Sequence, residues 1–198
     1  MSYKTNVLVL LSGGIDSTAC LAYYLSEGFK VCGLFINYGQ LAEKREREAV
    51  LRVTEYYTVP LDEIDISSAR RWGNGLIRGR NAVLLYSALM NFSYESGLIA
   101  IGIHAGTEYW DCSEEFLRQT KSVFWNYTEG CISVDAPFIL WNKVEIWQYC
   151  IREDVPLKYT YSCELGRKQP CGECLSCRDL EVLYAGHSEK GFGSKQDD

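Results

Sequence analysis

Long apolar runs are missing from this 198-residue chain. Its longest purely aliphatic stretch covers residues 7–11, far short of the roughly 20 residues that cross a bilayer. No charged-then-apolar leader with a small-residue cleavage site precedes that stretch, so neither export nor membrane insertion is expected and a cytoplasmic setting is. Excess positive charge is missing as well. Twenty Lys and Arg stand against 26 Asp and Glu, a net charge of −6, which withholds the broad basic footprint that direct nucleic-acid binding uses. Repeats and low-complexity tracts are absent, apart from a polar tail over residues 186–198 that is expected to fray. What the chain does have is 47 % hydrophobic and 23 % charged residues, a balance that suits one folded domain with a substantial core.

The apolar pattern alternates between strand and helix. Residues 6–11 form a short apolar run stopped by Ser12-Gly13-Gly14, and residues 31–37, 61–66 and 98–103 read as further buried strands. Between them, Thr18, Leu21, Ala22 and Leu25 recur at helical spacing up to Gly28, and the charged stretch 43–48 continues into Ala49, Val50 and Val53. Residues 82–92 are apolar nearly all round, which predicts a buried helix, while 67–80 is a loop long enough to be functional. Phe116, Leu117, Thr120, Val123 and Phe124 mark another helix, and Asn142 with Glu145 predicts a capping box opening a helix through Ile151. Strands alternating with helices imply an α/β fold, a Rossmann-like parallel sheet with helices on both faces.

At the exit of the first strand stands Leu11-Ser12-Gly13-Gly14-Ile15-Asp16-Ser17-Thr18. Two glycines allow a sharp turn and close approach to a ligand. Successive amides at a helix N-terminus, with hydroxyls from Ser12, Ser17 and Thr18, make an anion cradle. The Gly-Lys-Ser/Thr ending of the Walker loop is absent, so no lysine reaches for phosphate from here. The plainer reading is a glycine turn in which Asp16 or Ser17 merely caps the helix.

Nine cysteines is a high count, and four of them, Cys163, Cys171, Cys174 and Cys177, lie within fifteen residues. Four thiolates at that spacing can enclose one tetrahedral Zn2+ with no position left for water, which makes such an ion structural. An iron–sulfur cluster and a pair of disulfides are the competing readings. Cys20, Cys32, Cys112, Cys131 and Cys150 are scattered, as small core hydrophobes are. A third group, Asp111-Cys112-Ser113-Glu114-Glu115-Phe116, follows the fourth strand and opens a helix. Its carboxylates suit a first helical turn whatever their function, but its position faces the same crevice as the glycine turn. The flanking acids would raise the Cys112 pKa, so Cys112 is read as non-catalytic. Of the two histidines, His187 falls in the polar tail, and His104, at the end of a strand, suits a pocket wall and core packing equally.

Ser-Gly-Gly-Ile-Asp-Ser over residues 12–17 resembles the loop of the N-type ATP pyrophosphatases, whose members adenylate an oxygen and release pyrophosphate. The fuller order, with Tyr38-Gly39-Gln40, Gly79-Arg80-Asn81, Asp111-Cys112-x-x-Glu115-Phe116, Lys143 and the terminal cysteines, is similar to the 7-cyano-7-deazaguanine synthase family over about residues 5–180. The resemblance implies an adenine nucleotide alpha hydrolase-like fold and a structural zinc. It implies ATP held with Mg2+ on Ser12, Gly13, Gly14, Asp16, Ser17 and Thr18, with Arg80 and Asn81 facing the nucleotide. It also implies a 7-deazaguanine carboxylate held by Tyr38, Gln40 and Glu115, with Asp16, Lys143 and Asp111 as catalytic residues, and it is the sole ground for expecting a dimer; His104 at its strand end and Trp110, an aromatic that could stack on a planar base, are substrate-binding candidates read from the residues themselves.

On that basis residues 1–155 form the nucleotide domain, 156–185 a zinc segment packed on it, and 186–198 a tail. The nitrogen nucleophile is ammonia in that family, giving an amide and then a nitrile. Ala42 replaces a usual histidine, residues 102–110 are about two positions short, and Trp110 and Ser113 replace usual Pro and Arg. These changes leave a paralogue that joins the carboxylate to an amine of a protein acceptor as an alternative, and a non-catalytic nucleotide-binding zinc protein as another. A tRNA-thiolating role is disfavoured by the charge of −6.

Overall fold

The computed structural model describes residues 5–73 and 75–188, with the side chains of 186–188 left aside. Five strands, β1 (Asn6–Leu10), β2 (Lys30–Asn37), β3 (Leu61–Asp65), β4 (Gly97–Ala100) and β5 (Ile132–Asp135), form one sheet in the order β3-β2-β1-β4-β5. Every pairing is parallel. Six helices connect or follow them: α1 (Ile15–Ser26), α2 (Glu43–Tyr57), α3 (Arg80–Met90), α4 (Glu114–Thr128), α5 (Lys143–Arg152) and α6 (Leu175–Ser188). The α/β expectation therefore holds, with a fifth strand that the apolar pattern missed: Ile132–Asp135 is four residues long and only Val134 is fully buried.

The period of two along β1 explains why both faces are covered. Val7, Val9 and Leu11 enter one core with Ile15, Ala19 and Leu21 of α1, Val50 and Val53 of α2, and Ile146 and Trp147 of α5. Leu8 and Leu10 enter the other with Leu85 of α3 and Phe116, Leu117 and Phe124 of α4. Two local expectations need correction. The helix expected over 82–92 runs over Arg80–Met90 and is buried on one stripe only, at Asn81, Leu85 and Ala88, leaving Val83 half exposed and Met90 87 % exposed. Of the five scattered cysteines, Cys131 is exposed, just beyond α4, and the other four are core. The tail expectation also shifts, because α6 continues through Ser188; residues 189–198 lie outside the described residues. No helix among the described residues is long and apolar enough to cross a membrane.

The chain order reverses between β1 and β4, so their carboxyl ends flank the switch point where open parallel sheets hold ligands. Hairpin 11–18 leaves β1 there, and Gly102, just past β4, lies under it: a Cβ at Gly102 would stand 2.7 Å from the Asp16 carbonyl oxygen. Loop 66–79 is tied down beside the same edge, since Trp72 N–H donates to the Gly39 carbonyl and Leu41 N–H to the Trp72 carbonyl, both at 2.9 Å.

Candidate active site

A cavity of about 300 Å3 opens at this switch point, at the lower end of the size range of small-molecule sites. Its floor is the hairpin. Gly13 has φ +73°, and a Cβ there would meet the Glu46 carbonyl oxygen at 2.7 Å, so α2 packs against this turn only because the residue is glycine. Ser12 and Ser17 stitch the turn together, with hydroxyls 3.2 Å apart and the Ser17 hydroxyl donating to the Gly14 carbonyl at 3.1 Å. No side chain caps the N-terminus of α1. The simple capping reading of Asp16 and Ser17 therefore fails, and the first-turn amides remain available to an anion. Thr18 differs from its expected role: it is fully buried, and its hydroxyl donates to the Gly14 carbonyl at 2.9 Å.

Across the hairpin, Lys143 opens α5, which begins with the expected capping box between Asn142 and Glu145. That cap aims the first turn of α5 at the cavity, and Lys143 Nζ donates to Asp16 Oδ2. Both side chains are about three-quarters buried, so the pair sits where screening by water is weak. Asp16 Oδ1 is buried with no hydrogen-bond partner among the described residues, a free oxygen ligand beside the hairpin. His104 Nε2 lies 3.9 Å from Asp16 Oδ2. Its Nδ1 accepts from Gly106 N–H at 3.0 Å, which puts the ring proton on Nε2, towards Asp16. Burial and the Lys143 charge hold its pKa below the usual histidine range despite Asp16, so the ring is neutral at pH 7.

The opposite wall carries Tyr38, Gln40, Glu46 and Arg80. Gln40 is fixed on both sides: its Oε1 accepts from Tyr38 N–H at 2.9 Å, and its Nε2 donates to the Ile36 carbonyl at 3.2 Å and to Glu46 Oε2 at 2.9 Å. Burial pushes Glu46 up to about 7, against the pull of Gln40 and Arg80. Asn81 lines the cavity at the start of α3.

Three expected residues lie elsewhere. Asp111, in a 3-10 turn over Trp110–Cys112, is not among the lining residues; its Oδ2 accepts from Asn81 N–H at 3.3 Å and its carbonyl from Asn81 Nδ2 at 2.9 Å. These bonds tie it to the start of α3. Trp110 is 58 % exposed and packs edge-on against Phe116, while Glu115 points outward, held by Arg118 and Gln119, whose hydrogen bonds pull it down to about 2. Tyr109 and Cys112 do line the cavity. Burial, ahead of the Asp111 charge, raises Cys112, which agrees with a non-nucleophilic thiol.

The cysteine segment forms the remaining wall, through Tyr161, Ser162, Glu164, Ser176 and Asp179, none of which the sequence marked. Tyr161 N–H donates to the Gly13 carbonyl at 2.8 Å. Glu164 accepts from Ser176 N–H and hydroxyl at 3.2 and 2.8 Å and from Gly75 N–H at 3.2 Å, tying α6 to loop 66–79. No disulfide joins any of the nine cysteines in this structure. The four sulfurs of Cys163, Cys171, Cys174 and Cys177 lie within 4.8 Å of one another, with Cys171 and Cys177 3.7 Å apart. Sulfurs set tetrahedrally at about 2.3 Å from one ion stand about 3.8 Å apart. A four-iron cubane spreads its cysteine sulfurs to roughly 6 Å, because each ligates a different iron. The cluster thus fits a single ion. Amides of Cys174 and Glu173, at 3.3 and 3.4 Å from the Cys171 sulfur, bring that thiol down to about 6, towards the thiolate a metal takes.

A family profile described as "Queuosine biosynthesis protein QueC" matches residues 6–79 and 71–184. The chain is 33 % identical to the 7-cyano-7-deazaguanine synthase of Sulfolobus acidocaldarius over 91 % of its own length but only 46 % of that protein, so it spans about half of that relative. It is 29 % identical to 7-cyano-7-deazaguanine synthase 1 of Desulfitobacterium hafniense, over 95 % of both chains. Among solved structures, the U34-tRNA thiolase NcsA of Methanococcus maripaludis with its [4Fe-4S] cluster superposes with a TM-score of 0.51 at 17 % identity, covering 93 % of this chain and 66 % of the other. The NMN synthetase of Francisella tularensis gives 0.50 at 16 % identity, covering 98 % and 90 %. At those identities the two structures show the fold alone.

Proposed function

We propose that this chain, which belongs to the QueC family of queuosine biosynthesis proteins, is an ATP-dependent C–N ligase. In this reading it adenylates the carboxylate of 7-carboxy-7-deazaguanine and lets a nitrogen nucleophile displace AMP. The observation that carries it is the uncapped start of α1, with the Asp16–Lys143 pair beside it at the floor of the cavity. The amides of Ile15, Asp16 and Ser17 and the hydroxyl of Ser12 would take the phosphate oxygens. Lys143 would stabilise the charge that grows on the α-phosphate as the substrate carboxylate bonds to phosphorus and pyrophosphate leaves. Asp16, with its unpartnered Oδ1, is the residue that would hold Mg2+, which when bound neutralises phosphate oxygens. Neutral His104 adds no competing charge there.

Carboxylate itself is a poor electrophile because oxide would have to leave; after adenylation AMP leaves instead. Ammonia attacking the acyl carbon gives the amide, and a second ATP activating the amide oxygen gives the nitrile. The four cysteines would hold Zn2+, whose contribution is folding energy rather than an open coordination position. Incubating the chain with 7-carboxy-7-deazaguanine, Mg-ATP and ammonium is expected to give AMP, pyrophosphate and the nitrile by mass. One observation favours a second reading, in which an amine of a protein replaces ammonia: Trp110 and Glu115, two of the residues expected to hold the substrate, turn outward instead of lining the cavity. A deazaguanine product that forms only when a protein acceptor is supplied would support that version. No conversion of ATP to AMP under either condition would end both.

A further inference from the structure

Four carboxylates line the cavity: Asp16, Glu46, Glu164 and Asp179. Asp16 is paired with Lys143 beside the hairpin. Both oxygens of Glu164 are taken by Ser176 and Gly75. Asp179 belongs to the same end as His104, whose charge balance it influences. Glu46 lines the wall that also carries Tyr38, Gln40 and Arg80, near enough to Glu164 to feel its charge. Gln40 occupies one of its oxygens at 2.9 Å, and Oε1 makes no hydrogen bond among the described residues. The rigidity of Gln40, bonded at both ends of its amide, keeps Glu46 in place. Arg80 is close enough to pull on both Glu46 and Tyr38 electrostatically. That wall therefore offers an acceptor beside a donor, on the helix that packs against Gly13 of the hairpin.

We propose that Glu46 is a specificity-determining residue that reads the 2-amino-pyrimidinone edge of the base, its carboxylate accepting from the ring N–H and the exocyclic amine while Arg80 donates to the neighbouring carbonyl oxygen. This rests on the ligase reading above. Two adjacent donors facing one carboxylate form a charge-assisted, two-point contact, and a base lacking the exocyclic amine leaves part of it unmade. Of the five residues that the sequence pointed to for the substrate, Tyr38, Gln40 and His104 line the cavity, while Trp110 and Glu115 do not.

The test is calorimetric binding of 7-carboxy-7-deazaguanine, and of the analogue without the 2-amino group, to the full chain and to Glu46→Gln, with Mg-ATP as control. Wild type is expected to prefer the amino-bearing base by about 10–100-fold, the range for a hydrogen bond to a charged group. Glu46→Gln should reduce that preference to within about threefold and leave ATP affinity unchanged. Glu46→Asp, which keeps the charge but shortens its reach, should fall between and carries the comparison should the Gln variant not fold. Full preference retained in the variants overturns the role of Glu46 alone, as does a loss of ATP affinity with no change in base discrimination. Wild type that binds ATP and neither base overturns the ligase reading, and this proposal with it.

Discussion

Hairpin 11–18 is fixed by neighbours drawn from the whole chain: Gly13 against α2, Asp16 against Gly102, and Lys143 reaching in from α5. Segment 161–177, which closes the other side of the same cavity, has little beneath it. Its own buried cluster consists of Cys163, Cys174 and Cys177, with Tyr161, Leu165 and Cys171 packed around them. The first region is held by a sheet and two cores, and the second by four sulfurs that fit one ion. Local chemistry follows from that difference. A turn held by packing can present bare amides to an anion, whereas a wall built on four thiols would be only as ordered as an ion bound there made it.

The comparison can be broken most forcefully at the hairpin. Lys143→Ala and Asp16→Asn are expected to lower pyrophosphate release about 10²–10³-fold, the loss on removing one preorganised charge, with circular dichroism unchanged. A drop below tenfold in both would mean that the pair is merely structural.

Chelation, or Cys171→Ser, should act on the other region first. Amide exchange in α6 and around Glu164 is expected to rise to near-unprotected rates while β1 and α1 stay protected. ATP affinity should fall about tenfold, because Tyr161 no longer holds the Gly13 carbonyl and Ser176 and Asp179 leave the wall. Equal loss of protection in both regions would mean that the two are ordered by the same packing.

A smaller effect belongs to Glu46. Burial, resisted by Gln40 and Arg80 and reinforced by Glu43 and Glu164, raises its pKa from 4.5 to about 7. The folded chain therefore keeps this proton over a range where the unfolded chain has lost it, and stability falls as pH rises from about 4.5 to 7. Relative to Glu46→Gln, wild type should lose about 1–2 kcal/mol between pH 5 and pH 8 in denaturant titrations, after discounting for partial exposure. A flat difference would mean that the carboxyl is better solvated than its position implies. Smallest of all, Trp110→Ala and Glu115→Gln should change turnover by less than about threefold, since neither side chain lines the cavity and both are largely exposed.

Much of this arrangement was legible in the residues. The unbroken apolar run over 6–11, the Ser-Gly-Gly turn and the Asn142–Glu145 cap placed β1, the hairpin and Lys143, because each is a local signal. The four cysteines were legible from their spacing as a group that could hold a metal, and sulfurs within 4.8 Å of one another suit one ion better than a cubane. What stayed hidden depends on tertiary direction. Asp111 and Glu115 sit where a strand's carboxyl end faces the crevice, yet a 3-10 turn sends one to the start of α3 and the other to solvent. Glu46 lay inside a charged helical run that reads as a solvated face, and only the packing of α2 on Gly13 brings it to the cavity. Glu164, Ser176 and Asp179 had no signal beyond their nearness to the cysteines.

The most direct test of the central claim follows oxygen. With 7-carboxy-7-deazaguanine labelled with 18O in its carboxylate, Mg-ATP and ammonium, each AMP formed should carry one 18O, since the carboxylate oxygen becomes the bond to the α-phosphorus and departs with AMP. Unlabelled AMP, or ADP and phosphate in its place, would contradict adenylation at hairpin 11–18.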